Sequence, residues 1–201
     1  MHPRVRLALA VAMIVAAGAL AAVVVGARPE PERRESPAGF EGSLMPPGVR
    51  MPEFTLRDQD GELVRSRDLI GRPLVVTFVY AGCTESCGPQ LQFIRGALDD
   101  VGRDVPVIAV SAKPESDTPS RARAFLLEQK MTGRARFLLG SPKDLAPVYE
   151  GFFVQPQTEE QEHHARVVLV DARGMQRVGY NLANSTSDNL VHDLRLLEEA
   201  S

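Results

Sequence analysis

Apolar and polar positions divide the chain into three regimes. Residues 7–27, LALAVAMIVAAGALAAVVVGA, carry no charge at all, over a length that suits a membrane-spanning helix of about 20 residues. Residues 28–48, RPEPERRESPAGFEGSLMPPG, show no apolar period, and their Pro, Glu and Arg content predicts an extended linker. From Met51 onward the pattern is that of a packed domain. The expected organisation is a cytoplasmic tail at 1–6, a transmembrane anchor at 7–27, a linker at 28–48 and a globular domain at 49–199.

Within the domain, EFTLRDQDGELV holds two alternating runs around Asp58-Gln59-Asp60-Gly61, which predicts a hairpin. PLVVTFVY, residues 73–80, is a continuous β-branched run, suited to a central strand covered on both faces. Cys87, Leu91, Ile94, Leu98 and Val101 recur at helical spacing. VPVIAV at 105–110 reads as a second buried strand, and Thr118-Pro119 as the cap and first turn of a helix that buries Ala122, Phe125 and Leu126. RVVLVD at 166–171 reads as a third core strand, turned at Asp171-Ala172-Arg173-Gly174 into MQRVGY. Leu190, Leu194 and Leu197 line one face of a closing helix.

Two successive strand–helix–strand crossovers predict a parallel core. The trailing hairpin and last helix complete a thioredoxin-like α/β fold with an N-terminal hairpin extension, preceded by one transmembrane helix. In such sheets, ligand chemistry collects where the first core strand ends and its helix begins.

Composition narrows the function. The 201 residues carry a net charge of −3, so no basic field points to nucleic acid. The basic MHPRVR followed by an apolar run is an export pattern. Val25-Gly26-Ala27 resembles a cleavage site, but a cleaved signal has a shorter apolar core, about 7–15 residues, which favours a retained anchor. Arg4 and Arg6 before the run are nearly balanced by Arg28, Arg33 and Arg34 after it. The expectation is a single-pass protein of the cell inner membrane, its domain on the periplasmic or extracytoplasmic side.

Cys83 and Cys87 are the chain's two cysteines, too few for a disulfide scaffold. They fall at the strand end just described. A helix N-terminus favours thiolate over thiol, so the pair reads as reactive or metal-binding. A purely structural bridge across so short a loop contributes little through chain entropy. A thiol–disulfide reductase usually carries Cys-x-x-Cys, and one further residue intervenes here. Two thiolates suit Cu(I), with a third ligand expected from a neighbouring loop. His163 and His164 precede the third core strand and offer one. The opposing reading is a solvated pair in an acidic loop. His2 and His192 lack cysteine context. Zinc prefers four ligands, and three are evident.

The chain resembles the Sco/SenC family of membrane-anchored thioredoxin-like proteins of cytochrome c oxidase copper assembly. FTLRDQDGELV, VVTFVYAGCTESCGP, VSAKPESDTP and HHARVVLVDARG carry the likeness, over residues 51 to about 199. It implies that Cys83, Cys87 and His163 hold one copper ion per domain, His163 being chosen over His164 by its position six residues before Leu169. It implies a metallochaperone that delivers copper to the copper-site subunit of a cytochrome c oxidase and depends on a periplasmic thiol reductant. The alternative is a membrane-anchored thiol–disulfide reductase, with Cys83 and Cys87 as its redox pair, that keeps the oxidase cysteines reduced. The chain departs from the family at Thr84 and Gly88, where proline is frequent, and at Lys113, where aspartate is frequent. Ala165 stands where thioredoxin-like reductases place a cis-proline. The proline–threonine–cysteine pattern of peroxiredoxins is missing around Cys83.

Overall fold

The computed structural model describes Met13 and residues 39–83, 85–156 and 166–200. The chain divides into two units, Met1–Arg34 and Glu35–Ser201. The expected anchor, apart from Met13, and residues 28–38 of the linker lie outside the described residues. Among the described residues no helix is long and apolar enough to cross a membrane.

The second unit is built on a six-stranded sheet. In chain order its elements are β1 (Ser43–Leu44), the hairpin β2 (Thr55–Arg57) and β3 (Leu63–Arg65), β4 (Leu74–Val79), α1 (Cys87–Val101), β5 (Val107–Ser111) and α2 (Pro119–Glu128). Then follow β6 (Ala135–Leu138), α3 (Pro142–Phe152), β7 (Val167–Val170), β8 (Gln176–Tyr180) and α4 (Ser187–Glu199). The sheet runs β1-β8-β7-β4-β5-β6, with β2 and β3 forming a separate ribbon. The mixed α/β, thioredoxin-like arrangement expected from the sequence is thus present, including the N-terminal hairpin.

Every residue of β4 is buried, and the strand's period of two divides the core. Leu74, Val76 and Phe78 pack with the hairpin and with Leu145, Val148, Tyr149 and Phe152 of α3. Val75 and Val79 face the other side, against Leu91 and Ile94 of α1, Phe125 of α2 and Leu194 of α4. Thr118 caps α2 by accepting the Arg121 N–H, with Pro119 in the first turn, as the sequence predicts.

Two expectations are corrected. The strand at Val167–Val170 is antiparallel to β4, pairing Leu74 with Val170 and Thr77 with Val167. The third parallel strand is β6, which pairs with β5. Helix α3 then carries the chain back across the opposite face, so β7 comes into the sheet running the other way. The second correction concerns residues 40–45. They were expected in the linker, yet Phe40 is buried and Ser43–Leu44 pairs with β8. The buried Asp193 carboxylate of α4 fastens this segment. It accepts the backbone N–H of Glu41 at 2.8 Å and of Gly42 at 3.0 Å, and the Tyr180 hydroxyl. Burial and the Asp193 bond push the Tyr180 phenol above its ordinary range. Gly42 leaves room for this approach: a Cβ there would run into Val178 and Tyr180.

Asp193→Ala should therefore lower stability by at least the cost of one orphaned buried donor, about 1–3 kcal/mol. Urea denaturation of a domain fragment starting at Glu35 measures it, and an unchanged midpoint would contradict the clamp.

Candidate functional site

The chain leaves β4 at Val79 and turns through Tyr80–Cys83 before α1 starts at Cys87. The Cys83 N–H donates to the Tyr80 carbonyl at 3.1 Å, closing the turn. Cys83 and Cys87 form a disulfide, with Cα atoms 5.7 Å apart. Cys83 is half-buried, whereas Cys87 is fully buried. The order of access is thereby set: a solution partner meets Cys83 first.

Electrostatics at the sulfurs follow from the helix end. The first N–H groups of a helix have no carbonyl partner within it. Ser86, at the N-cap, provides no side-chain cap. Instead the Cys87 N–H points at the Cys83 sulfur, 3.1 Å away, and the Ser86 hydroxyl lies 3.5 Å from the same atom. Donors at a helix N-terminus are of the kind that favours a thiolate over a thiol, the form that attacks disulfides and binds soft metals.

A buried polar brace supports the loop from β5. The Asp117 carboxylate accepts the Ala81 N–H at 2.9 Å and the Ser111 hydroxyl at 2.5 Å. Ser111 is itself held from below, its carbonyl accepting the Tyr149 hydroxyl at 2.7 Å. Burial raises the Asp117 carboxyl above its ordinary value, against the lowering effect of the Ser111 and Ala81 bonds and of Arg121 and Lys113. Arg121 donates to the Ser116 carbonyl at 2.8 Å. Its guanidinium lies 2.9 Å from where a Cβ on Gly82 would stand, so it packs close against the loop backbone. The Lys113 ammonium sits 6.0 Å from the Tyr80 ring centroid. Two cations thus flank the loop that carries Cys83.

His163 and His164 lie outside the described residues, as do Thr84 and Ala165. The structure fixes the stem of that segment instead. Antiparallel pairing of Thr77 with Val167 sets the start of β7 beside the end of β4. His192 pairs with Asp193 on α4, Nδ1 to Oδ1 3.1 Å, and belongs to the clamp rather than to the cysteine loop. Among the described residues no cluster of three or more metal-ligating side chains occurs. A cavity of about 750 Å³ opens beneath the hairpin, lined by Asp58, Arg123, Arg136 and others, with no residue of the cysteine loop.

Sequence reading missed Ser111, Asp117 and Arg121. Asp117 had a signal: it immediately precedes the Thr118-Pro119 cap, where a carboxylate of the preceding turn reaches back toward the strand ends.

A thioredoxin-like domain with a Cys-x3-Cys disulfide between its first parallel strand and following helix is the class that this fold and site define. A family model described as SCO1/SenC matches residues 46–197, and the chain belongs to that family. The chain is 25% identical over 158 residues to the mitochondrial protein SCO1 homolog 1 of Arabidopsis thaliana, across 71% of this chain and 46% of that protein. It therefore spans about half the length of that relative. It is 28% identical over 175 residues to the chloroplastic peroxiredoxin Q of Triticum aestivum, across 85% of this chain and 75% of that protein. Among solved structures, copper-bound ScoI of Bradyrhizobium japonicum superposes with a TM-score of 0.61 at 29% identity, covering 71% of this chain and 96% of that one.

The raised Asp117 carboxyl gives a pH prediction. Its folded-state pKa lies above the unfolded value, so the folded form holds the extra proton. The associated stability is full below the ordinary carboxylate range, near pH 3.8, and is lost as pH rises through the raised value. Asp117→Asn should flatten that dependence. Stability followed by urea denaturation across the acid range checks it, and an unaltered slope would count against Asp117 as its source.

Proposed function

We propose that this domain binds one copper ion through Cys83, Cys87 and His163 and delivers it to the copper-site subunit of a respiratory cytochrome c oxidase. The observation that carries the reading is one of placement. In a SCO1/SenC chain, the cysteine pair leaves the end of β4, and the stem of the histidine segment starts β7 alongside it. His163 is three positions before Arg166, so a fully extended chain puts at most roughly 11 Å between the two Cα atoms. That span is short enough for the imidazole to reach this strand end, which supports the reading.

Copper is the cargo, and the chain's own groups handle it. The disulfide is first opened by a dithiol reductant: two electrons and two protons pass to Cys83 and Cys87, and the reductant leaves as a disulfide. Cu(I) then replaces both thiol protons, which are released to solvent. The Cys87 N–H and the helix end lower the cost of the Cys83 thiolate. Delivery proceeds by ligand exchange. An incoming thiolate or imidazole of the oxidase reaches half-buried Cys83 before fully buried Cys87, so the ion is handed over stepwise and is never free. In this reading residues 7–27 hold the domain at the outer face of the cell inner membrane, where the oxidase subunit also resides.

A second reading, a thiol–disulfide reductase of the oxidase cysteines, is favoured by the disulfide itself and by the accessible Cys83. His163 separates the two. His163→Ala should retain dithiol–disulfide cycling, lose stable one-to-one Cu(I) binding and fail to restore oxidase activity under limiting copper. Cys83→Ser or Cys87→Ser should fail in every assay, and His164→Ala should be nearly silent. Full restoration of oxidase activity by His163→Ala would replace the chaperone reading with the reductase. An imidazole ligand also predicts weaker copper binding below pH ~6.5, where an unperturbed histidine protonates.

A further inference from the structure

Gln90 has no part in the cysteine chemistry described so far, yet its surroundings are unusual. It stands three residues beyond Cys87 on α1 and is completely buried. Its carboxamide Nε2 donates to the Arg166 carbonyl at 3.0 Å, to the Phe78 carbonyl at 3.3 Å and to the Thr77 hydroxyl. The Thr77 hydroxyl in turn donates to the same Arg166 carbonyl at 3.2 Å. Two carbonyls accept from the amide, which fixes its orientation, and Oε1 is left buried without a partner. A buried polar atom without a partner carries a free-energy cost. An apolar side chain at this position avoids that cost and still fills the core.

We infer that Gln90 is a positioning residue that sets the spacing between the cysteine-bearing helix and the stem of the His163 segment. The inference rests on the copper reading above. One amide joins the three elements from which the proposed ligands extend. Phe78 lies in the strand that leads to Cys83, Gln90 in the helix that starts with Cys87, and Arg166 at the stem that follows His163. Within a closely packed interior, such a bridge resists displacement in any direction. A three-coordinate site assembled from separate elements needs this more than a cysteine pair does, because Cys83 and Cys87 are already tied by four residues of chain. Gln90 therefore acts on the histidine arm and leaves the sulfur pair's own chemistry alone. Groups that hold a ligand in place without touching the metal typically contribute about 10–100-fold in metal affinity.

The test is Gln90→Met, which removes the donors and keeps the volume. Cu(I) affinity is measured by competition with a chromophoric Cu(I) chelator in wild-type and His163→Ala backgrounds, beside the reduction potential of the disulfide. Gln90→Met should weaken copper binding by about 10–100-fold in the wild-type background, leave the weaker residual affinity of the cysteine pair in His163→Ala unchanged and leave the potential unchanged. Equal losses in both backgrounds, no loss in either, or a shifted potential would overturn the assignment. Should Gln90→Met fail to fold, Thr77→Val severs the second arm to the Arg166 carbonyl and is held to the same outcomes. Wild-type protein that holds no Cu(I) would sink the copper reading itself. The strut is then read from hydrogen exchange at the Val167 amide of metal-free protein, where Gln90→Met must speed exchange and an unchanged rate refutes it.

Discussion

Everything at the site depends on the antiparallel pairing of β7 with β4. A parallel strand in that position would begin at the far edge of the sheet, a strand length away from the cysteines. Because β7 runs the other way, Val167 stands opposite Thr77, and the chain enters β7 where it leaves β4. The reversal depends on α3, whose Leu145, Val148 and Phe152 bury against Phe78 and its neighbours on the sheet face opposite α1. Packing far from the sulfurs thus determines which strand start lies beside the end of β4.

The second requirement is to hold a loop with reactive ends. Two braces do this from opposite sides. Asp117 grips the Ala81 N–H and is itself supported by Ser111 and Tyr149. Gln90 grips the carbonyls of Phe78 and Arg166. Both braces put polar groups where water is scarce, so each bond is stronger than its counterpart in solvent and each loss costs more. Between them the loop keeps one sulfur buried and one half-exposed, which suits chemistry that passes a ligand from one protein to another.

Much of this was legible in the sequence, for reasons that differ by element. The apolar runs of β4 and β5 and the alternating hairpin are patterns in which side-chain period and burial agree. The Thr118-Pro119 cap and the leucines of α4 were read for the same reason. The cysteine pair was placed correctly because a helical period begins at Cys87. By contrast β6 and α3 went unread. Pro147 interrupts the helical pattern between Leu145 and Val148, although Ser141 and Asp144 form a capping box just ahead of it. That omission also produced the parallel assignment of β7. The clamp on residues 40–45 was hidden because its partner, Asp193, lies some 150 positions away in the chain. Gln90 gave no signal, since a glutamine on an amphipathic helix ordinarily faces solvent.

X-ray absorption at the copper edge of the reduced, Cu(I)-loaded domain is the most direct test of the central claim. The account predicts two sulfur scatterers and one imidazole nitrogen on a single copper, and no imidazole nitrogen on the weakly held copper that remains with His163→Ala. A shell of sulfur alone in the wild-type protein, or an unaltered spectrum in His163→Ala, would contradict it.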